Sequence, residues 1–89
     1  MNKDDRKQLS AILAAIENAK SELAAQQDLI SELAESEREK FDNMSEGLQN
    51  GEKGQAISEA ADALENAKDA CDSAVQSAEE CFDALNGIE

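Results

Sequence analysis

The sequence has no proline, histidine, tryptophan or tyrosine, and its only aromatic residues are Phe41 and Phe82. Cations are also scarce: 8 Lys and Arg stand against 21 Asp and Glu, a formal net charge of −13 over 89 residues. Each shortage excludes something. Without histidine, a serine or cysteine nucleophile lacks its usual base, and a zinc site lacks its commonest nitrogen ligand. With so few cations the chain repels phosphates instead of displacing their counterions, so direct nucleic-acid binding is not expected. Two phenylalanines cannot build a base-stacking platform that is also basic. No apolar run approaches the roughly 18–20 residues of a membrane span. The Met1–Ser10 segment is too charged for a secretory signal. Eighty-nine residues suffice for one small domain, residues 1–89.

What is present is helix-forming sequence. Ala, Glu, Lys, Gln and Leu dominate and β-branched residues are few. The spacing predicts a first helix over about 5–40, with Asp4 or Asp5 as its N-terminal cap. Leu9, Ile16, Leu23 and Ile30 recur every seven residues, with Ile12, Ala19 and Leu33 between them. A second helix is expected over about 55–86. There Ile57, Leu64, Cys71, Ala78 and Leu85 form the seven-residue series, interleaved with Ala60, Ala67, Ala74, Cys81 and Ile88. Asn86-Gly87 reads as its stop.

Residues 41–54, FDNMSEGLQNGEKG, hold three of the four glycines and an Asn50-Gly51 turn pair. This stretch reads as an ordered joint. Ser45-Glu46 starts a short helical turn within it, Met44 and Leu48 face inward together, and Asn50 or Gly51 caps the second helix. The predicted fold class is therefore all-α, an antiparallel two-helix hairpin of coiled-coil character. Two helices of this length leave too much seam exposed for a core of their own. Leu13 and Leu29 on the first helix, and Val75 and Phe82 on the second, widen the apolar faces. Ala14, Ala15, Ala24 and Ala25 leave room for another helix to come close. Homodimerisation into a four-helix bundle is the expected solution.

The joint string Phe41-Asp42-Asn43-Met44-Ser45-Glu46-Gly47-Leu48-Gln49, followed by Glu52-Lys53, resembles a family of short acidic proteins of bacteriophages and prophages. In that family an aromatic-Asp-Asn-aliphatic-Pro-Glu-x-Leu-Gln stretch precedes a Ser-Glu-Arg/Lys-aromatic segment and an acidic helix. This chain departs from the pattern at Ser45 (usually Pro), Gly51 (usually Ser) and Gly54 (usually aromatic). The likeness is close over about residues 40–70 and elsewhere is one of texture. It implies a phage or prophage origin and the cytoplasm of a bacterial host cell. It implies no settled activity, and no cofactor.

Other chemistry can be tested against the residues. Cys71 and Cys81 lie about 15 Å apart along one helix by rise, beyond the roughly 7 Å reach of a disulfide. Both read as reduced seam residues. Asp69 to Glu80 has the length of a calcium loop, but Cys71, Ser73 and Ala74 occupy its third, fifth and sixth positions. Asn43-Met44-Ser45 matches a glycosylation acceptor that a bacterial cytoplasmic protein would not use. Gly47, Gly51 and Gly54 lack the Lys-Ser/Thr and the strand of a phosphate loop. No metal ligand set is evident, and an enzyme is not expected.

Charge is divided unevenly, with a net of −4 over residues 1–44 and −9 over residues 45–89. Asp62, Glu65, Asp69, Asp72, Glu79 and Asp83 follow three- and four-residue steps along the second helix, with Gln76 as the one uncharged rung. Like charges so spaced cost a helix a few tenths of a kcal/mol each. One reading is a solubilising face. Another is a protein-binding surface that imitates a nucleic-acid backbone and docks on the basic surface of a host DNA- or RNA-binding protein. Small phage inhibitors of restriction and CRISPR systems offer an analogy. On that reading Asp42, Asn43, Glu46 and Gln49 of the joint are further candidate contacts. A third reading makes the apolar seam the working surface of an assembly module. A fourth is an oligomeric sponge for a signalling nucleotide, which needs converging cations. Lys3, Arg6 and Lys7 at one end, and Arg38, Lys40 and Lys53 at the joint, are the supply.

Overall fold

The computed structural model describes residues 1–88 and is all-helical. The order is α1 (Lys3–Asp42), α2 (Glu46–Gln49) and α3 (Glu52–Asn86). α1 and α3 lie side by side in a body of 68 × 15 × 14 Å, and α2 packs against α3. Their mutual direction follows from two ion pairs. Lys20 meets Glu79 and Arg38 meets Asp62, so rising numbers on α1 face falling numbers on α3.

Both long helices begin earlier than their composition suggested. The cap of α1 is Asn2, not Asp4 or Asp5: its Oδ1 accepts from the Asp5 N–H at 2.8 Å, while Asp4 and Asp5 supply negative charge in the first turn. Asparagine satisfies the same free donors as aspartate one turn sooner. α3 begins at Glu52, capped by the extended backbone of Gly51, and stops at Gly87 as expected.

The seven-residue series Leu9, Ile16, Leu23, Ile30 and Ile57, Leu64, Cys71, Ala78, Leu85 are all half-buried between the helices. Their companions are not those expected. Leu13, Lys20, Gln27 and Ala34 face α3, whereas Ala19 is exposed and Ile12 and Leu33 remain 41% and 56% exposed. On α3 the companions are Ala61, Val75 and Phe82, while Ala60, Ala67, Ala74, Cys81 and Ile88 are exposed. The reason is area. Closing over Val75 and Phe82 removes far more apolar surface from water than closing over Ala74 and Cys81. The choice leaves Cys81 outside the seam, contrary to its reading as a seam residue; both thiols are free.

The buried residues are Ala34, Gly54 and Ala61, all small and all near the joint. Ala61 is fully buried at 0% exposure, and no large described side chain is. The joint itself is closely tied. Asn43 caps α1 with its N–H directed to Glu39 and Phe41, and the Met44 N–H donates to the Phe41 carbonyl at 3.1 Å. Ser45 caps α2, its hydroxyl accepting from the Leu48 N–H at 3.4 Å. Its φ of −64° is one that proline would also adopt unstrained. The Gln49 side chain crosses back to donate to the Phe41 carbonyl at 2.9 Å. Met44 is half-buried, and Leu48 lines the same shallow cup but stays 58% exposed, because α2 is only one turn long and covers little of it.

Gly54 is where α3 comes closest to the end of α2. A Cβ there would collide with the Leu48 and Gln49 carbonyl oxygens and the Gln49 Cα. Its φ is not positive, so the requirement is for space. A residue with a side chain does not fit this arrangement.

Candidate functional site: the two flanks of the second long helix

α3 carries the six carboxylates of the stripe along one side. Viewed from the seam, Glu65, Asp72 and Glu79 lie one step round the helix, and Asp62, Asp69 and Asp83 lie beyond them in the same sense. All six are exposed.

Cations from α1 meet half of them. The Arg38 Nη2 donates to Asp62 Oδ1 at 2.9 Å and to Glu65 Oε1 at 3.1 Å, bridging two successive rungs. Lys20 Nζ approaches Glu79 Oε1 at 3.1 Å. These contacts hold the Arg38 guanidinium above its usual value, first through the hydrogen bond to Asp62 and then through that to Glu65. They raise Lys20 above the ordinary lysine value, chiefly through its hydrogen bond to Glu79. The Gln76 amide donates to Asp72 at 3.1 Å. Asp69 and Asp83 have no ion-pair partner among the described residues. Two α1 cations thus contact the stripe at three rungs, although α3 itself brings only Lys53 and Lys68. Sequence reasoning placed Arg38 in a cation cluster at the joint and gave Lys20 no role. Both span the two helices, and only a register for the pair reveals it.

The joint candidates divide in two. Asp42 and Glu46 are exposed at the last turn of α1 and the first of α2. Asn43 is also exposed, but its backbone is engaged as a cap. Gln49 directs its amide inward to Phe41, so its donor holds the joint together. Two of the six cations proposed for nucleotide capture are engaged. Arg38 serves two carboxylates, and Lys40 Nζ lies 2.8 Å from Glu37 Oε1. Lys40 and Lys53 border a shallow cup with Asn43, Met44, Leu48 and Ile57. No group of three or more His, Cys, Asp or Glu among the described residues is placed to hold a metal ion. No described helix is long and apolar enough to cross a membrane.

The opposite flank of α3 has another chemistry. Ala60, Ala67, Ala74 and Cys81 lie one step from the seam in the other sense, with Ala63 and Ala70 beyond them, and all are exposed. No carboxylate interrupts this row from Ala56 to Ala84. In two right-handed helices running in opposite directions, corresponding flanks share one broad side of the pair. Arg38 beside Glu65 shows this for the anionic side, and the cup between Lys40 and Lys53 shows it for the other. Ile12, Ala19 and Leu33 of α1 therefore share a side with the alanine flank of α3. Leu29, 51% exposed, lies at its edge.

No family model matches this chain, and no curated protein and no solved structure is similar to it.

Proposed function

We propose that the two long helices work as a hairpin module that binds protein and does not catalyse, presenting the anionic flank of α3 to a partner with a basic surface. The observation that carries this reading is the segregation on α3: carboxylates along one side, uncharged small residues along the other. A face made only for solubility has no need of such sorting, since acidic residues spread round the helix supply the same net charge. The pairing by Lys20 and Arg38 concentrates unneutralised charge at Asp69, Asp72 and Asp83. A partner with a few spaced cations fits this edge better than one shaped to a continuous phosphate ladder, so imitation of nucleic acid is the narrower form of the proposal. A phage or prophage origin, and with it a host protein as target, rests on the joint string alone.

Charge-led docking gives fast, salt-sensitive association. The test is affinity capture from bacterial extract with the native chain and with a variant carrying Asp69→Asn, Asp72→Asn and Asp83→Asn. The native chain is expected to retain a partner at low salt and release it at high salt, while the variant retains helical circular dichroism and captures none. Equal capture by both chains contradicts the reading.

A second reading, the assembly module, is favoured by a separate observation. The chain exposes 6357 Å², whereas a globular monomer of its mass exposes about 5,000 Å² by the usual scaling. The difference exceeds the roughly 800 Å² that each partner contributes to a standard interface. A homodimer is the simplest form of that assembly and is compatible with the anionic reading, because the two use different sides of the pair.

A further inference from the structure

Resting on that second reading, we infer which surface a second copy of this chain covers and how it lies. The covered surface is the side formed by Ile12, Leu29 and Leu33 of α1 with Ala67, Ala70 and Ala74 of α3, and the two copies stack with their joints at the same end, α1 of each over α3 of the other.

Three observations lead there. First, Ile12, Leu29 and Leu33 are large apolar side chains of a single long helix left 41%, 51% and 56% exposed, all away from the anionic flank. Second, the α3 positions on this side, at three- and four-residue steps from Ala56 to Ala84, include no carboxylate, and between Ile12 and Leu33 the α1 part of the side holds one acid, Glu22, so a partner that is itself at −13 meets little charge there. Contact through the other side would bring the α3 carboxylates, Asp69 and Asp72 among them, against a second copy whose matching α1 flank carries Glu17, Asp28 and Glu35. Third, the surface is self-complementary in size. The ion pairs set residues whose numbers sum to about 100 at one level, as Lys20 with Glu79 and Arg38 with Asp62. Leu33 is then level with Ala67, and Leu29 lies near Ala70 and Ala74.

A two-fold axis parallel to the helices preserves those levels and sets α1 of one copy over α3 of the next. Each leucine then faces an alanine row that has space for it, and the relation is reciprocal, as an isologous contact requires. An axis across the helices instead stacks α1 on α1 and α3 on α3, large on large and small on small. The resulting four-helix arrangement buries Ala19 and Cys81 as well, and leaves both anionic flanks facing outward.

The test reads mass, surface and orientation separately. Sedimentation equilibrium of the native chain is expected to show twice the 9.5 kDa chain mass. Monomer at every concentration overturns the assembly reading and this inference together. In the same samples Cys81, exposed in the single chain, is expected to react with a disulfide reagent at least about tenfold more slowly as dimer forms, because only the dissociated fraction is open to attack. A dimer in which Cys81 keeps the rate of a free thiol overturns the inference and leaves the assembly reading standing. Spin labels at position 47, introduced by Gly47→Cys with Cys71→Ser and Cys81→Ser, are expected to lie within about 30 Å of each other across the dimer. A separation approaching the roughly 60 Å length of a forty-residue helix overturns the orientation. Leu33→Glu is expected to shift the mass to monomer, and Asn66→Glu, on the outer side of α3, is expected to leave it a dimer.

Discussion

The two ends of the body are held in different ways. At the joint, Ala34, Gly54 and Ala61 are buried, two helix caps are made, and the Gln49 side chain is bonded to the Phe41 backbone. Toward the termini the helices touch through half-buried leucines, Val75 and Phe82, and through the exposed pair Lys20–Glu79. The comparison teaches where specificity resides. Close approach and directed hydrogen bonds at the joint define how the chain reverses. The paired helices beyond it contribute area that is generic in kind and incomplete in extent, and it is there that surface remains for other molecules.

Variants at the two ends sharpen this contrast. The largest effect is expected from Gly54→Ala, since the added methyl must displace the backbone of α2. Overpacking of this kind costs about 1–3 kcal/mol, and thermal unfolding followed by circular dichroism should show a clear loss of stability. Gly47→Ala, where a Cβ meets nothing, is the control and should change little. Next comes Gln49→Ala, which leaves the Phe41 carbonyl without its side-chain donor and should cost about 1 kcal/mol in the same assay.

The smallest effect is expected at the far end. Lys20→Met removes an exposed ion pair, which typically contributes less than about 1 kcal/mol. Because Lys20 binds its proton more tightly in the folded chain than in the unfolded one, its contribution is complete below the ordinary lysine range. It declines as pH rises through the raised value. The native chain should therefore lose its margin over Lys20→Met in strongly alkaline solution, which paired unfolding curves against pH will show. If Gly54→Ala proves milder than Lys20→Met, the contrast between the ends fails.

The all-helical class, the joint and its short turn were legible because they depend on local chemistry: helix propensity, the absence of proline, and the Ser45 and Gly51 caps. The seven-residue series through Ile16 and Leu64 was legible because periodicity marks a helix face whatever lies opposite. Which neighbour completes that face was not. Ile12 and Leu13 are both apolar and adjacent, and only the way α1 sits against α3 decides for Leu13. The line of six carboxylates along α3 was expected on the face away from the seam, but Lys20 and Arg38 reach three of them from α1, and that pairing belongs to the register between helices, which no single-helix pattern contains. Gly54 is of the same kind: its lack of a side chain acquires meaning only once α2 is folded against it.

In the proposed function the two sides of α3 serve different contacts, one governed by charge and one by apolar area. The direct measurement is to co-express a tagged and an untagged copy of the chain, capture them from bacterial extract, and raise the salt from about 0.1 M to about 1 M, where exposed charges are screened beyond a few ångströms. The untagged copy should remain bound while other proteins elute. Loss of the untagged copy together with those proteins, or retention of them all, would contradict it.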